Sequence, residues 1–223
     1  MSEIMGGSGN MSTFKNEKGN PVLMKMVNAI HENKDYLGEV DGLIGDGDHG
    51  MNMNKGFMLF GKQYGDKSFT FAEGLSNLGN ILFSQIGGSM GPIYGTIFMD
   101  SADEGMELEE IKVKDLADML AAGLAGLQEI VEAQVGDKTL VDTLSPAVDA
   151  LKDAASAGLD FVEALENMKA AAKKGMESTK DMVAKFGRSS RLGERSRGVL
   201  DAGSVSCCII LIAMADGIAE NLD

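Results

Sequence analysis

The sequence predicts an all-α fold, an antiparallel bundle or barrel of eight helices with its chemistry in loops at one end. Three observations carry this. β-branched residues are sparse while Ala, Leu, Met and Glu dominate, which disfavours strands. Apolar residues recur at helical spacing in eight stretches. The connections between those stretches are short and rich in Gly, Pro and Asp, so sequential helices must run antiparallel.

The elements follow in order. Residues 1–18 are rich in Ser, Gly, Asn and Met and are expected to be flexible, which leaves a single helical domain over 19–223. Pro21 opens the first helix, with Val22, Met26, Ala29 and Ile30 on one face. An Asp/Gly loop follows. Helices are then expected over 51–64 and 71–86, the latter stopped by the glycine cluster Gly87-Gly-Ser-Met-Gly91. Pro92 starts the next helix, to about Ala102, and the acidic stretch Asp103 to Glu110 reads as a solvated loop. Long helical patterns cover 114–134, 139–157 and 160–183. Residues 185–203 are irregular and basic. Ser204 to Ala219 forms the last helix, apolar nearly all round and therefore central.

The net charge of −14 argues against a nucleic-acid surface, which needs a basic face. The only cysteines, Cys207 and Cys208, are adjacent in an apolar run and read as buried free thiols, which fits a reducing compartment. The run Cys207 to Ala215 is too short to span a bilayer and no signal-peptide pattern opens the chain, so a cytoplasmic location is expected.

The chemistry concentrates in Asp41-Gly-Leu-Ile-Gly-Asp-Gly-Asp-His-Gly-Met-Asn52. Asp41, Asp46 and Asp48 repel one another unless a cation sits between them, and hard oxygen ligands at this density suit Mg2+. Helix capping would account for one aspartate, not three. The formal match of Gly45 to Gly50 to a dinucleotide fingerprint fails for want of a βαβ unit. An EF-hand fails because no Glu stands eleven residues after any of the three acids. No Walker A motif is present. His49, inside the loop, is a ligand-contact candidate, whereas His31 is structural.

Three further segments suit phosphate. The amides around Gly88, Ser89 and Met90 precede a helix, where anions are favoured, although an interhelical turn would look the same. All four arginines, Arg188, Arg191, Arg195 and Arg197, fall within ten residues, and a guanidinium grips phosphate bidentately. The competing reading is a solvated loop of surface ion pairs, with Glu194 as one partner. Asp201-Ala202-Gly203 could cap the final helix or touch a ligand. Gly136-Asp-Lys-Thr139 reads, taken alone, as a helix start capped by Asp137 or Thr139. Together these segments read as a site for a Mg2+-nucleotide.

The motifs Asp41-x4-Asp46-Gly-Asp-His-Gly-x-Asn52, Gly87-Gly-x-x-Gly-Pro-x-Tyr-Gly-Thr96, Val135-Gly-Asp-Lys-Thr-x-Val-Asp142 and Gly187-Arg-x-Ser-x-Leu-Gly-Glu-Arg-Ser196 resemble, in order and spacing, the nucleotide-binding L subunit of dihydroxyacetone kinases (DhaL). The resemblance implies an eight-helix barrel with the nucleotide at one end. It implies that Asp41, Asp46 and Asp48 bind two Mg2+ ions, and that His49, Gly50, Met51, Asn52, Gly88, Ser89, Met90, Gly136, Ser145, Arg188, Asp201, Ala202 and Gly203 line ADP or ATP. It also implies a separate K-type subunit that binds dihydroxyacetone. In one version of the system a phosphocarrier (DhaM-like) subunit recharges a retained ADP, and in the other free ATP is the donor. A homodimer is left open, and no nucleic acid or membrane partner is expected.

The chain departs from the family pattern at Met90, Arg191, Arg197, Val199 and Ala202. These departures motivate two variants of the reading, a kinase subunit for another small ketose such as a tetrulose, and a regulatory nucleotide-binding paralogue that controls a partner without turnover. A domain like the N-terminal part of fatty-acid kinases is disfavoured by His49.

Overall fold

A computed structural model describes residues 12–223, so most of the expected flexible segment lies outside the described residues. Eight α-helices are found among the described residues: α1 Gly19–Gly42, α2 His49–Tyr64, α3 Phe71–Gln85, α4 Met90–Gly105, α5 Val113–Ile130, α6 Val141–Ala157, α7 Phe161–Ser178 and α8 Ala202–Ala219. Each packs on its neighbour in sequence, and α8 returns to α1, which closes the ring into an antiparallel barrel.

Side chains cap three of the starts. Thr70 accepts the Glu73 amide while the Glu73 carboxylate accepts the Thr70 amide, a reciprocal box that opens α3. Asp160 accepts the Glu163 amide at α7, and Asp201 accepts the Ser204 amide at α8. Gly158 ends α6 in the left-handed region, at φ 66°. The core is lined by Phe57, Phe60, Phe71 and Phe161 with a sleeve of Leu, Ile and Met. α8 is largely buried. By length and composition its 18 residues, of mean hydropathy 1.9, could cross a membrane, but 72% of them lie inside the fold, which makes it a core helix. The expectation that its apolar run is too short to span therefore gives way to a different reason, coverage by α1, α6 and α7.

Several expected boundaries move. α2 begins at His49, two residues early, because Asp48 and His49 already carry helical backbone. α4 begins at Met90, so Pro92 is its third residue, where the missing N–H has no helical acceptor to lose. α5 stops at Ile130, since Val131 is extended (φ −133°, ψ 144°). α6 begins at Val141, after Leu140, and no side chain of Leu140 caps it; Thr139 accepts only the Val141 amide, and the expected Asp137 cap is absent. α7 ends at Ser178 and a 3-10 turn, Thr179–Asp181, follows.

Residues 14–18, expected to be loose, are built in. Phe14–Lys15 pairs antiparallel with Glu110–Ile111, in the stretch read as a solvated loop. Phe14 is fully buried and packs edge-on to Phe71. Buried Asn16 donates to the carbonyls of Gly105 and Leu108 and accepts the Ala72 amide.

Candidate active site

The barrel presents the C-terminus of α1 and the N-termini of α2, α4, α6 and α8 at one end, around a cleft of about 390 Å³. Its floor is apolar, from Ile93, Leu127, Val131, Leu140 and Val141; its rim is charged.

Asp41 lies in the last turn of α1, where its carbonyl accepts the amides of Ile44 and Gly45 and its carboxylate accepts the His49 amide. Gly47 turns the chain between Asp46 and Asp48 at φ 77°, a conformation that side-chain-bearing residues rarely adopt. That turn brings one oxygen each of Asp41, Asp46 and Asp48 within 4.8 Å of one another. Three anionic oxygens this close fit a hard divalent cation. Asp48 occupies the N-cap of α2 but accepts no amide from it, so capping does not account for its carboxylate. Arg188 reaches from the other side of the cleft to form an ion pair with Asp46.

His49 is buried under this loop. Its Nε2 lies 2.8 Å from Ser206 Oγ, which lies 2.6 Å from the Tyr94 hydroxyl, and both hydroxyls reach the Gly203 carbonyl. Burial pushes the His49 imidazole down to about 4, with Asp41 opposing, so the ring is neutral at pH 7. Burial also pushes the Asp201 carboxyl up to about 6, against the Ser204 amide and the Lys138 ammonium. The Tyr94 phenol is likewise raised by burial.

Of the residues expected to touch ligand, Asp41, Asp46, Asp48, His49, Ser89, Met90, Arg188, Asp201, Ala202 and Gly203 line the cleft. The lining does not include Gly50, Met51, Asn52, Gly88, Gly136 or Ser145. Gly50 faces α1 instead, and Met51 is largely exposed. Gly88 stands beside Ser89 in the exposed turn, Asn52 is the fourth residue of α2 and Ser145 the fifth of α6, and the Gly136 amide is taken by Asp142. Among the lining residues that carried no expectation of ligand contact are Tyr94, Lys138 and Phe186. The only signal for Lys138 was its place in the Val135 to Asp142 motif; nothing in the sequence marks Ser206 as the partner of a histidine 157 residues away.

The DAK2 domain family model matches residues 43–216. The chain is 36% identical over 205 residues to the ADP-binding subunit DhaL of a PEP-dependent dihydroxyacetone kinase from Listeria innocua, covering 90% of this chain and 92% of that subunit. It is 37% identical over 198 residues to the ADP-binding subunit DhaL of the PTS-dependent dihydroxyacetone kinase of Lactococcus lactis, covering 88% and 95%. Its fold is similar to that of the native dihydroxyacetone kinase of C. freundii, with a TM-score of 0.70 at 19% identity. That likeness covers 97% of this chain but only 37% of the larger kinase, so the chain spans little more than a third of its length. The chain belongs to the DAK2-domain family, among the DhaL-type subunits of dihydroxyacetone kinases.

Proposed function

We propose that this chain is the nucleotide-holding, phosphoryl-donating subunit of a kinase for dihydroxyacetone or a related small ketose, working in the cytoplasm with a K-type subunit that carries the ketose. The observation that carries this reading is the convergence of Asp41, Asp46 and Asp48 with Arg188 at the mouth of an apolar-floored cleft. The names of its DhaL relatives, ADP-binding subunits of such kinases, support the choice of nucleotide.

The three aspartates would hold Mg2+, in the family pattern two ions. Bound there, magnesium would offset the charge of phosphate oxygens that the bare acids repel. The remaining work falls to the chain. The amides at the start of α4, beside Ser89 and Met90, point positive ends at the cleft. Arg188, once released from Asp46, offers a planar fork to a phosphate. Ile93, Leu127 and Val131 give a dry wall that suits a flat base. Neutral His49, held by Ser206, keeps its ring oriented without adding charge beside the acids. The arrangement positions a donor phosphoryl and neutralises charge as it leaves, which is the main demand of phosphoryl transfer. The phosphoryl group would pass to a hydroxyl of the ketose presented by the partner subunit: a new P–O bond forms as the bond to the β-phosphate oxygen breaks, the hydroxyl gives up its proton, and ADP is the leaving group that stays in the cleft.

The test is reconstitution. The chain, a K-type subunit and dihydroxyacetone are supplied with either ATP or a charged phosphocarrier, and the phosphorylated ketose is measured. Turnover with one donor, lost in Asp48→Asn, is expected. Tight nucleotide binding with no transfer from either donor would contradict the kinase reading and point to a regulatory protein.

A further inference from the structure

Lys138 combines three features that rarely meet. It is completely buried, it is the only non-glycine residue with positive φ (62°) among the described residues, and its ammonium donates to two main-chain carbonyls, Thr179 and Val199. A buried ammonium and a left-handed side-chain-bearing residue each cost free energy and persist only where the surroundings determine them strongly. The two carbonyls bracket residues 180–198, the loop that carries all four arginines and Phe186.

The base of that loop is tied further. The Gly198 amide donates to the Lys180 carbonyl (2.7 Å), and the Asp201 amide to Thr179 Oγ1 (3.1 Å). Asp137, the neighbour of Lys138, grips the loop from inside: its carbonyl accepts the Lys185 amide (3.2 Å) and its carboxylate pairs with the Lys185 ammonium (2.5 Å). The turn that bears both residues is itself pinned, because buried Asp142 accepts the amides of Gly136 (2.6 Å) and Thr139 (2.8 Å), and Asp137 accepts that of Gln134 (2.8 Å). A rigid path therefore runs from α6 through Asp142 and the 134–139 turn to the basic loop. Arg188 sits three residues beyond Lys185, over the cleft.

We propose that Asp137 and Lys138 form a clamp that fixes loop 180–198 over the cleft, with Lys138 as the positioning residue for Arg188. The nucleotide-binding arm of the test rests on the function proposed above; the exchange arm does not. Burial pushes the Lys138 ammonium below the ordinary lysine range while Asp201 opposes, as expected for a charge kept in place by designed acceptors.

The experiment is hydrogen–deuterium exchange with mass spectrometry on the full chain, beside calorimetry with Mg-ADP. In Lys138→Met the amides of Ala184, Lys185 and Gly198 should exchange at least about tenfold faster while the cores of α1 to α8 stay protected. Mg-ADP affinity should fall about tenfold, and Lys138→Met combined with Arg188→Ala should bind no more weakly than Arg188→Ala alone, because the two residues act through one contact. A residue that only supports the fold would give losses that multiply. Unchanged loop exchange, or multiplied losses, overturns the proposal. Should Lys138→Met not fold, Lys185→Met, on the surface, takes its place: faster exchange across 182–188 supports the clamp and wild-type exchange overturns it. Wild-type protein that binds no Mg-ADP would defeat the proposed function and leave exchange to judge the clamp.

Discussion

Asp48 stands where a carboxylate ordinarily accepts the first free amides of a helix, and it accepts none. Its neighbours within 4.8 Å are the oxygens of two other acids. The residue therefore costs stability when no cation is present, and Asp48→Asn should raise stability in EDTA by a few tenths of a kcal/mol, since it removes one of three mutually repelling charges and loses no cap hydrogen bond. Divalent binding, followed by Mn2+ paramagnetic resonance, should weaken at least about tenfold in the same variant. A loss of stability in EDTA with full Mn2+ affinity would make Asp48 a cap after all. His49 allows a second test. Its folded pKa of about 4 lies below the unfolded value of 6.5, so the unfolded chain takes up a proton first as pH falls. The stability that follows from the neutral ring is complete above pH 6.5 and is lost as pH falls toward 4, by up to about 3 kcal/mol. Asp201 runs the other way: its raised folded pKa of about 6 means that protonation below pH 6 favours the fold. In wild type the two offset each other. Urea unfolding in EDTA at pH 7.5 and 4.5 should show that His49→Gln, which retains a partner for Ser206, becomes more stable on acidification relative to wild type. Parallel pH curves would remove the buried neutral imidazole from the account.

The elements were largely legible. Helical periodicity marks all eight helices, and the all-round apolarity of the last one marks α8 as a largely buried helix, which it is, although it sits in the ring between α7 and α1 and not at its centre. Ends were less legible where a motif residue is also helical. The Asp/Gly composition of 41–50 hides the fact that His49 already belongs to α2, and the periodic Val131 and Gln134 carry an apparent helix past the point where the backbone extends. The pairing of Phe14–Lys15 with Glu110–Ile111 could not be read locally, because two-residue strands have no period. The crossing of α1 and α2 depends on one glycine. A Cβ at Gly50 would lie 1.9 Å from the Lys34 carbonyl oxygen and 2.8 Å from the Gly38 nitrogen, both backbone atoms of α1. Gly50→Ala should therefore destabilise the fold by about 2–4 kcal/mol, since the two helices must separate. Gly87→Ala, where a Cβ meets nothing within 4 Å, is the matched control and should change stability by less than about 0.5 kcal/mol. Equal denaturant midpoints for the two variants would contradict this view of the crossing.

For the whole molecule, closing the barrel is what makes the site. The acid triad was legible because its members lie within eight residues, and local spacing alone constrains them. Arg188 was legible as chemistry but not as geometry: it meets Asp46 across 142 residues only because α1 and the segment after α7 end at the same rim. The Ser206 and Tyr94 partners of His49, and the hold of Lys138 on the basic loop, arise from packing between distant segments and leave no periodic trace. The central claim is that the acids bind a nucleotide only by way of a divalent cation. Isothermal calorimetry on ligand-stripped protein tests it most directly, with ADP or ATP titrated in magnesium buffer and again in EDTA. The account predicts binding in magnesium that is lost in EDTA and weakened at least about tenfold in Asp46→Asn. Equal affinity with and without the metal, or no heat from either nucleotide in magnesium, would contradict it.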